Sequence, residues 1–526
     1  MGEVVSADPA EPRWWQTGVV YQVYPRSFQD SDGDGVGDLP GVIDRLDHLA
    51  WLGVDAIWLS PIFRSPMRDF GYDVADYLDV DPLFGTLADA DRLISEAHSR
   101  GLRVLLDFVP NHTSSDHAWF VDARSARDAE HRDWYVWRDP APGGGPPNDL
   151  ESEFGGPAWT LDEATGQYWY HSFLPEQPEL DWRNPRVREA MLDVMRTWFG
   201  RGIDGFRIDV LWMIAKDDAL WQGPPVGPGP AGVVKDQRNA LEHGDGPGME
   251  PLLEAMRAVA DEFPERVLVG ELYMPPERLV RYYGRGGRGA HLPFNFGLVW
   301  LPWHAAAVRE AIRAYEQALP EGAWPNWVLG NHDQPRVASR LGTAQARVAA
   351  MLLLTLRGTP TLYNGDELGL PAAVVPPDRI VDVAGRDPVR SPMPWTRLDA
   401  NAGFSATEPW LPMVAGAAAL SVEAQRADAT SMLELHRRLL AVRRASPALH
   451  AGSIELLDAP AGVVAFDRRH GGEQVRVLLN LTGEPAIVTL DGSWTSLVGT
   501  RPGREGTDER DAVTLAGNEG LVLRRS

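Results

Sequence analysis

The chain has 526 residues, 44% of them hydrophobic, and carries 74 acidic against 50 basic side chains, which gives a formal net charge of −24. This charge argues against nucleic acid or an anionic membrane surface as a partner, because both need a basic face. Without cysteine the chain can form no disulfide, thiolate nucleophile or zinc–thiolate site. No basic start precedes an apolar run at the N-terminus, and no stretch approaches the roughly 18 apolar residues of a membrane span. We therefore expect a cytoplasmic protein, and we expect a monomer or a homodimer without a feature of the sequence that selects between them.

Eight apolar segments of strand length alternate with helical segments along the chain. They are residues 19–25, 54–61, 102–112, 203–210, 266–272, 291–296, 327–333 and 358–367. Strands that are apolar without alternation are typical of a parallel sheet with both faces buried. Eight consecutive β-α units predict an α/β fold of the (β/α)8 TIM barrel type, with its active site at the C-terminal ends of the strands.

Two long interruptions and one change of pattern divide the chain into domains. Residues 113–180, rich in Trp, Gly and Pro, predict a small inserted domain after the third strand. Residues 216–250 predict a second long loop after the fourth strand. The barrel then comprises residues 1–112 and 181–446, and the short alternating strands of residues 447–526 predict a C-terminal antiparallel β domain.

An acidic loop, DSDGDGVGD, follows the first predicted strand. Its acids occupy positions 1, 3, 5 and 9 of an EF-hand pattern, but Gly41 stands where that pattern needs a Glu, and a strand rather than a helix precedes it. We therefore predict a barrel loop around one structural cation, Ca²⁺ first and Mg²⁺ second, with a metal-free glycine-rich turn as the alternative. The predicted ligands are the side chains of Asp30, Asp32, Asp34 and Asp38 and the carbonyl of Val36.

Three carboxylates at strand ends, Asp209, Glu271 and Asp333, suggest glycoside hydrolysis, which needs one ionised and one protonated carboxyl group. Arg207 points the same way as Asp209 on a strand and can keep it ionised, which makes Asp209 the better nucleophile. Glu271 has no cation beside it in the sequence, which favours it as the acid. Asp333, next to His332, would bind sugar hydroxyls. Ordinary structural ion pairs are the alternative interpretation.

The motifs DFVPNH, GFRIDV, GEL and NHD, in this order on barrel strands, resemble the four signature regions of the α-amylase family of glycoside hydrolases. QPELDW at 177–182 resembles its fifth region, and the acidic loop resembles the cation loop of oligo-1,6-glucosidase-type members. GFRIDVLW and GRDPVRSPMPW look like those of bacterial α-glucosidases. The resemblance implies a retaining mechanism with Asp209 as nucleophile, Glu271 as acid/base and Asp333 as transition-state stabiliser.

The resemblance also implies a binding site for a terminal glucose. Asp69 would hold its 4-hydroxyl, Tyr72 would stack on it, and Arg386 would pair with Asp69 and close the end of the pocket. The full set implied to contact substrate is Asp69, Tyr72, His112, Phe173, Arg207, His332 and Arg386. A closed pocket admits only a chain end, so the implied activity is exo-acting release of glucose from short α-glucosides.

Several points stay open at the level of sequence. Val210 follows the nucleophile, and in the resembling family Val at this position goes with α-1,6 bonds rather than α-1,4 bonds. A glucosyl-enzyme ester can also react with a sugar hydroxyl, so transglucosylation, or a trehalose synthase or sucrose isomerase type of reaction, is the alternative function. A non-catalytic barrel resembling transporter heavy-chain ectodomains is a remote one, because those lack the three acids.

Overall fold

The computed structural model describes residues 12–216 and 248–526, so most of the loop predicted at 216–250 lies outside the described residues. The barrel strands, β1 to β8 in chain order, are Val20–Val23, Ala56–Leu59, Arg103–Phe108, Gly205–Ile208, Val267–Gly270, Leu292–Pro293, Asn326–Val328 and Thr359–Tyr363. They pair in parallel in the order β6-β5-β4-β3-β2-β1-β8-β7. A parallel bridge between Asn295 and Trp327 joins the two edges. The predicted TIM barrel is confirmed.

The predicted segments are longer than the observed strands mainly at their C-terminal ends. β7, for example, ends at Val328, whereas the prediction runs to Asp333. The backbone beyond it leaves the ladder and forms the loop that carries His332 and Asp333 to the barrel mouth. Strands β1, β2, β4 and β5 are buried at every residue, as expected of a parallel sheet covered on both faces.

Helices surround the barrel and their ends follow ordinary capping chemistry. The longer ones are Leu46–Leu52, Leu87–Ser99, Pro185–Arg201, Met249–Asp261, Ala305–Ala318, Val337–Thr355 and Met432–Ala445. Thr86 and Asp89 form a reciprocal capping box at the start of the second. Asn184 caps the third, where Pro185 occupies the first turn and Gly202, at φ 108°, ends the helix in the left-handed conformation.

Between β3 and β4 lies a small three-stranded antiparallel sheet. Its strands, in spatial order, are Trp137–Arg138, Gln167–Tyr170 and Trp159–Asp162. An antiparallel bridge between His112 and Glu179 connects the end of this insertion to the loop after β3. The insertion therefore stands beside the C-terminal ends of the barrel strands.

The C-terminal part is a six-stranded antiparallel sheet. Its strands, in spatial order, are Ser453–Leu456, Val463–His470, Glu473–Asn480, Gly520–Arg525, Ala486–Gly499 and Asp508–Leu515. The sheet packs on the barrel helix Val337–Thr355, where Arg347 donates to the carbonyl of Thr500 at 2.9 and 3.0 Å. Among the described helices, none has the length and apolar character that crossing a bilayer would need.

Candidate active site

A cavity of about 630 Å³ opens at the C-terminal ends of the barrel strands. It is lined by Asp69, Tyr72, His112, Glu153, Phe154, Gly155, Phe173, Asp209, Val210, Trp212, Met213, Glu271, Tyr273, Trp300, Asp333, Gln334, Val383, Ala384 and Arg386. Eight of the ten residues predicted to be catalytic or substrate-binding belong to this lining. The two others, Arg207 and His332, are buried behind it.

One guanidinium joins three carboxylates beneath the cavity. Nη1 of Arg207 lies 2.8 Å from Asp107 Oδ1 and 2.7 Å from Asp209 Oδ1, and Nη2 lies 2.6 Å from Glu271 Oε1. All four side chains are less than a tenth exposed. Asp209 and Glu271 follow neighbouring strands, and each contacts one of the two terminal nitrogens of Arg207. Both carboxylates therefore face the same part of the cavity.

This arrangement changes the expected electrostatics. The sequence predicts a weakly charged setting for Glu271, but the structure places Arg207 against it. Burial raises the pKa of Asp209 well above its usual value; Arg207 opposes that rise, while the neighbouring carboxylates of Glu271 and Asp107 add to it. Arg207 therefore does not fully offset the effects of burial and of the two neighbouring acids on the pKa of Asp209. The three acids share one cation, so the group as a whole retains protons that isolated carboxylates would lose.

Asp333 lies in the opposite kind of environment. Its Oδ1 is 2.8 Å from Arg390 Nη2 and 3.4 Å from Arg386 Nη1, and its Oδ2 is 3.2 Å from His332 Nε2. Burial would raise the pKa of Asp333, but the contact with the His332 imidazole and the positive charges of Arg386 and Arg390 bring it well below its usual range. Asp333 is therefore ionised at neutral pH. Arg390, 1% exposed, is a member of the site that sequence reasoning missed.

The rings of His332 and Tyr72, both predicted to contact substrate, are stacked. Their centroids are 5.4 Å apart and their planes differ by 3°. On its other face His332 stacks on Tyr24, with a centroid distance of 5.6 Å and an interplanar angle of 20°. The hydroxyl of Tyr72 contacts Asp107 Oδ2 at 3.0 Å and His332 Nε2 at 2.8 Å. Burial lowers the pKa of His332 well below its ordinary value, so the imidazole is neutral at pH 7.

Asp69 and Arg386 form a salt bridge of 2.6 Å in the cavity wall. Asp382 anchors the same guanidinium at 2.7 Å, and Gln177 donates to the second oxygen of Asp69 at 3.0 Å. The predicted Asp69–Arg386 pairing is therefore present. Gln177, the first residue of the QPELDW motif, is the part of that motif that reaches the site.

Two aromatic side chains of the insertion line the cavity next to this salt bridge. Arg386 lies 5.2 Å from the ring centroid of Phe154, which contacts Phe173 at 5.6 Å. Phe173 in turn lies 5.2 Å from the ring of His112. Phe173 and His112 were predicted, whereas Phe154 was not, because no spacing rule links a residue within an irregular insertion to the barrel.

Two further cavity residues, Val210 and Trp300, make contacts that the sequence does not predict. Val210 has φ 34°, a strained value for a β-branched residue, and its N–H donates to Glu271 Oε2 at 2.9 Å. Trp300 is 53% exposed at the cavity, packs on Tyr273 at 5.3 Å and donates through its indole to Gln334 at 3.2 Å. In the sequence, Trp300 is an apolar residue before a turn in the loop after β6, and this pattern does not indicate a position at the cavity.

The acidic loop brings three of its four acids together. One carboxylate oxygen each from Asp30, Asp32 and Asp38 lie within 4.8 Å of one another, which suits a hard cation that prefers oxygen ligands. Asp34 is outside this group, and its Oδ1 accepts the N–H of Val36 at 2.7 Å. A Cβ on Gly35 would lie 2.3 Å from a backbone oxygen of the segment after β8, so this turn requires glycine.

Comparison with known proteins agrees with this geometry. The α-amylase catalytic-domain family model matches residues 22–452. A probable alpha-glucosidase of Rhizobium meliloti (strain 1021) is 43% identical over 503 residues, 91% of each chain. A glucan 1,6-alpha-glucosidase of Streptococcus pneumoniae serotype 4 is 36% identical over 93% of this chain and 95% of that protein. The crystal structure of the alpha-glucosyl transfer enzyme XgtA superposes with a TM-score of 0.88 at 39% identity, covering 98% of this chain and all of that one.

Proposed function

This chain belongs to the α-amylase family of glycoside hydrolases, and on that premise we propose that it is a retaining α-glucosidase that releases glucose from the non-reducing end of short α-glucosides. The observation that carries the proposal is the shared guanidinium of Arg207, which binds Asp209 through one terminal nitrogen and Glu271 through the other. A retaining glycosidase needs two carboxyl groups close enough for one to attack the sugar directly.

In the proposed mechanism Glu271 gives its proton to the leaving oxygen while Asp209 attacks the anomeric carbon. The glycosidic bond breaks and a glucosyl ester with Asp209 forms. Glu271, now ionised, takes a proton from water, whose oxygen displaces Asp209 and releases glucose with its original anomeric configuration. Asp333, ionised by its two arginines, would stabilise the positive charge that develops on the ring.

Release of single glucose units is supported by the salt bridge between Asp69 and Arg386, which lies in the cavity wall. Both curated relatives described above are named as glucosidases. Action on α-1,6 bonds is supported by Val210 and by the pneumococcal relative. One β-branched side chain discriminates by only about 1 to 3 kcal/mol, so α-1,4 bonds also belong to the proposed range.

Transfer of glucose to a sugar hydroxyl is the second candidate, and the likeness to the alpha-glucosyl transfer enzyme favours it. It uses the same glucosyl ester and differs only in the group that takes the glucose. The isomerase reaction differs again, because both halves of one disaccharide would be rejoined.

The test is product analysis on maltose, isomaltose, sucrose and trehalose, with the anomer of the first product followed by NMR. We expect α-glucose from at least one substrate.

We expect Asp209→Asn to lose roughly 10⁴- to 10⁶-fold in kcat. Glu271→Gln should lose about 10²- to 10⁴-fold on maltose but much less on an α-glucoside whose leaving group needs no proton. Formation of β-glucose, or an Asp209→Asn variant with full activity, would contradict the mechanism; isomers or longer saccharides without free glucose would favour the second candidate.

We also propose a structural cation, Ca²⁺ before Mg²⁺, held by the grouped side chains of Asp30, Asp32 and Asp38; Asp34 and the carbonyl of Val36 stay predictions from the sequence pattern. The grouping of three carboxylates supports it. A chelator should lower the melting temperature, and Ca²⁺ should restore it by mass action. Asp32→Asn should weaken this response. An unchanged melting temperature on chelation would leave the metal-free turn as the better interpretation.

A cytoplasmic location, a monomeric or homodimeric state and the absence of a nucleic-acid partner remain proposals. The net charge of −24 argues against a nucleic-acid partner, and the lack of cysteine fits a reducing compartment. Cell fractionation, light scattering and a nucleic-acid shift assay would test them in turn.

A further inference from the structure

We propose that Asp107, a buried carboxylate outside the cavity lining, is a positioning residue for the catalytic proton: it competes for Arg207 and so keeps a proton on the Asp209–Glu271 pair at neutral pH. The inference rests on the proposed function, in which Glu271 must be protonated and Asp209 ionised. It assigns a role to an acid that the two-carboxylate mechanism does not use.

The placement of Asp107 follows from the register of the barrel. Asp107 on β3 and Arg207 on β4 are direct partners in the parallel ladder, so their side chains emerge side by side. Nη1 of Arg207 contacts Asp107 at 2.8 Å and Asp209 at 2.7 Å, so these two acids use the same guanidinium nitrogen. Glu271 receives only the other terminal nitrogen.

The charges in this group do not balance. With Asp107, Asp209 and Glu271 all ionised around Arg207, the buried group would carry two uncompensated negative charges, which burial makes costly. A proton held by the group removes one of them. Without the charge of Asp107 the group would need that proton less, because one guanidinium would then face two carboxylates.

Within residues 12–216 and 248–526, the other surroundings of Asp107 supply no second cation. On the β2 side, the indole Nε1 of Trp58 donates to its Oδ2 at 3.2 Å, and the hydroxyl of Tyr72 lies 3.0 Å from the same oxygen. Beyond Tyr72 stands the neutral imidazole of His332. Burial raises the pKa of Asp107, the contact with Arg207 opposes this rise, and the carboxylate of Glu271, on the β5 side, adds to it. Arg207 is therefore the one guanidinium that faces Asp107 among the described residues.

The test is the pH dependence of kcat/KM for Asp107→Asn, which keeps the shape of the side chain and removes its charge. The alkaline limb reports loss of the proton that the Asp209–Glu271 pair holds in the free enzyme. Because a nearby negative charge raises the pKa of a carboxyl group, its removal should move this limb to lower pH by about one unit.

Asp204→Asn is the matched control. Asp204 is also a buried acid paired with an arginine, Arg103 at 2.9 Å, but it precedes β4 at the opposite end of the barrel. We expect both variants to lose stability and only Asp107→Asn to move the alkaline limb. Asp107→Ser, a second neutral variant, should give the same displacement.

An alkaline limb that stays in place, or moves to higher pH, overturns the inference while leaving the proposed function intact. Failure of both Asp107 variants to fold also counts against it, because Asp107 would then have a structural role. Failure of the wild-type protein to release glucose from any α-glucoside is a different result and would overturn the proposed function itself.

Discussion

Two groups of buried acids and arginines at the cavity have opposite ratios of negative to positive charge. Around Arg207, three carboxylates share one guanidinium; around Asp333, one carboxylate receives two guanidinium groups, from Arg386 and Arg390. Both groups are buried, and burial alone would raise the pKa of every acid in them. The pKa of Asp209 is indeed raised, whereas that of Asp333 is lowered.

The difference teaches that the ratio of charges, rather than burial, separates the roles of the acids. A group with too few cations holds a proton that it can give to a leaving group, and a group with surplus cations stays ionised and can stabilise positive charge. Pairs of acids whose surroundings push their pKa values apart are the usual way for one site to perform acid and base chemistry at one pH.

Removal of Arg207 should have the largest effect, because it breaks the first group altogether. Arg207→Met would leave three buried carboxylates without a counter-charge, and we expect a loss of about 3 to 5 kcal/mol in the free energy of unfolding together with loss of activity. Urea denaturation measures the first and glucose release the second.

Arg103→Met is the control for this variant, because Arg103 pairs with Asp204 and Glu265 at the other end of the barrel and is partly exposed. Its expected loss is about 1 kcal/mol. Equal losses in the two variants would mean that the three-carboxylate group is not the special feature of this site.

Removal of the charge on Asp333 should have a smaller, pH-dependent effect. The pKa of Asp333 is lower in the folded protein than in the unfolded chain. The ionised carboxylate therefore stabilises the fold fully above the pKa of Asp333 in the unfolded chain, which is about 4. This stabilisation is lost as the pH falls through the pKa of Asp333 in the folded protein. Asp333→Asn should therefore be less stable than the wild type by about 2 kcal/mol at pH 7, and the difference should shrink steadily below pH 4. Unfolding measured from pH 3 to pH 7 checks this. A difference that grows toward acid pH would contradict the charge balance described here.

Arg386 belongs to both the Asp333 group and the Asp69 salt bridge, so its removal tests binding more than chemistry. Arg386→Met should raise KM for isomaltose about tenfold and change kcat less, since Asp69 loses the cation that orients it. Arg379→Met, on the same loop but paired with the exposed Glu408, should leave KM unchanged. A fall in kcat with constant KM would place Arg386 in the chemical step instead.

Sequence reasoning predicts the barrel, the antiparallel sheet and the contact between Arg207 and Asp209, because strand periodicity and i, i+2 geometry are local properties. It does not predict that Arg207 also binds Glu271, since that contact depends on the lateral register of two strands whose paired residues are 62 positions apart in the sequence. Arg390, Phe154 and Trp300 lie on loops, whose paths no periodicity describes. The acidic loop is an intermediate case. The local pattern in the sequence identifies its four acids, but only the folded turn shows that Asp34 lies outside the group formed by the other three.

The hydroxyl of Tyr72 is the point where the two sides meet, and its removal should have the smallest effect. It contacts Asp107 on one side and His332 on the other, and His332 contacts Asp333. Tyr72→Phe keeps the stacked ring and should cost about 1 kcal/mol of unfolding free energy.

Tyr24 provides the matched control, because it stacks on the other face of His332 and its buried hydroxyl has no hydrogen-bond partner among the described residues. Tyr24→Phe removes an unsatisfied polar atom and should be neutral or slightly stabilising. If the two variants lose the same stability, the bridge through Tyr72 contributes nothing, and the two charge groups are held apart by the barrel backbone alone. If only Tyr72→Phe loses stability, the hydroxyl couples the group that holds the proton to the group that stays ionised.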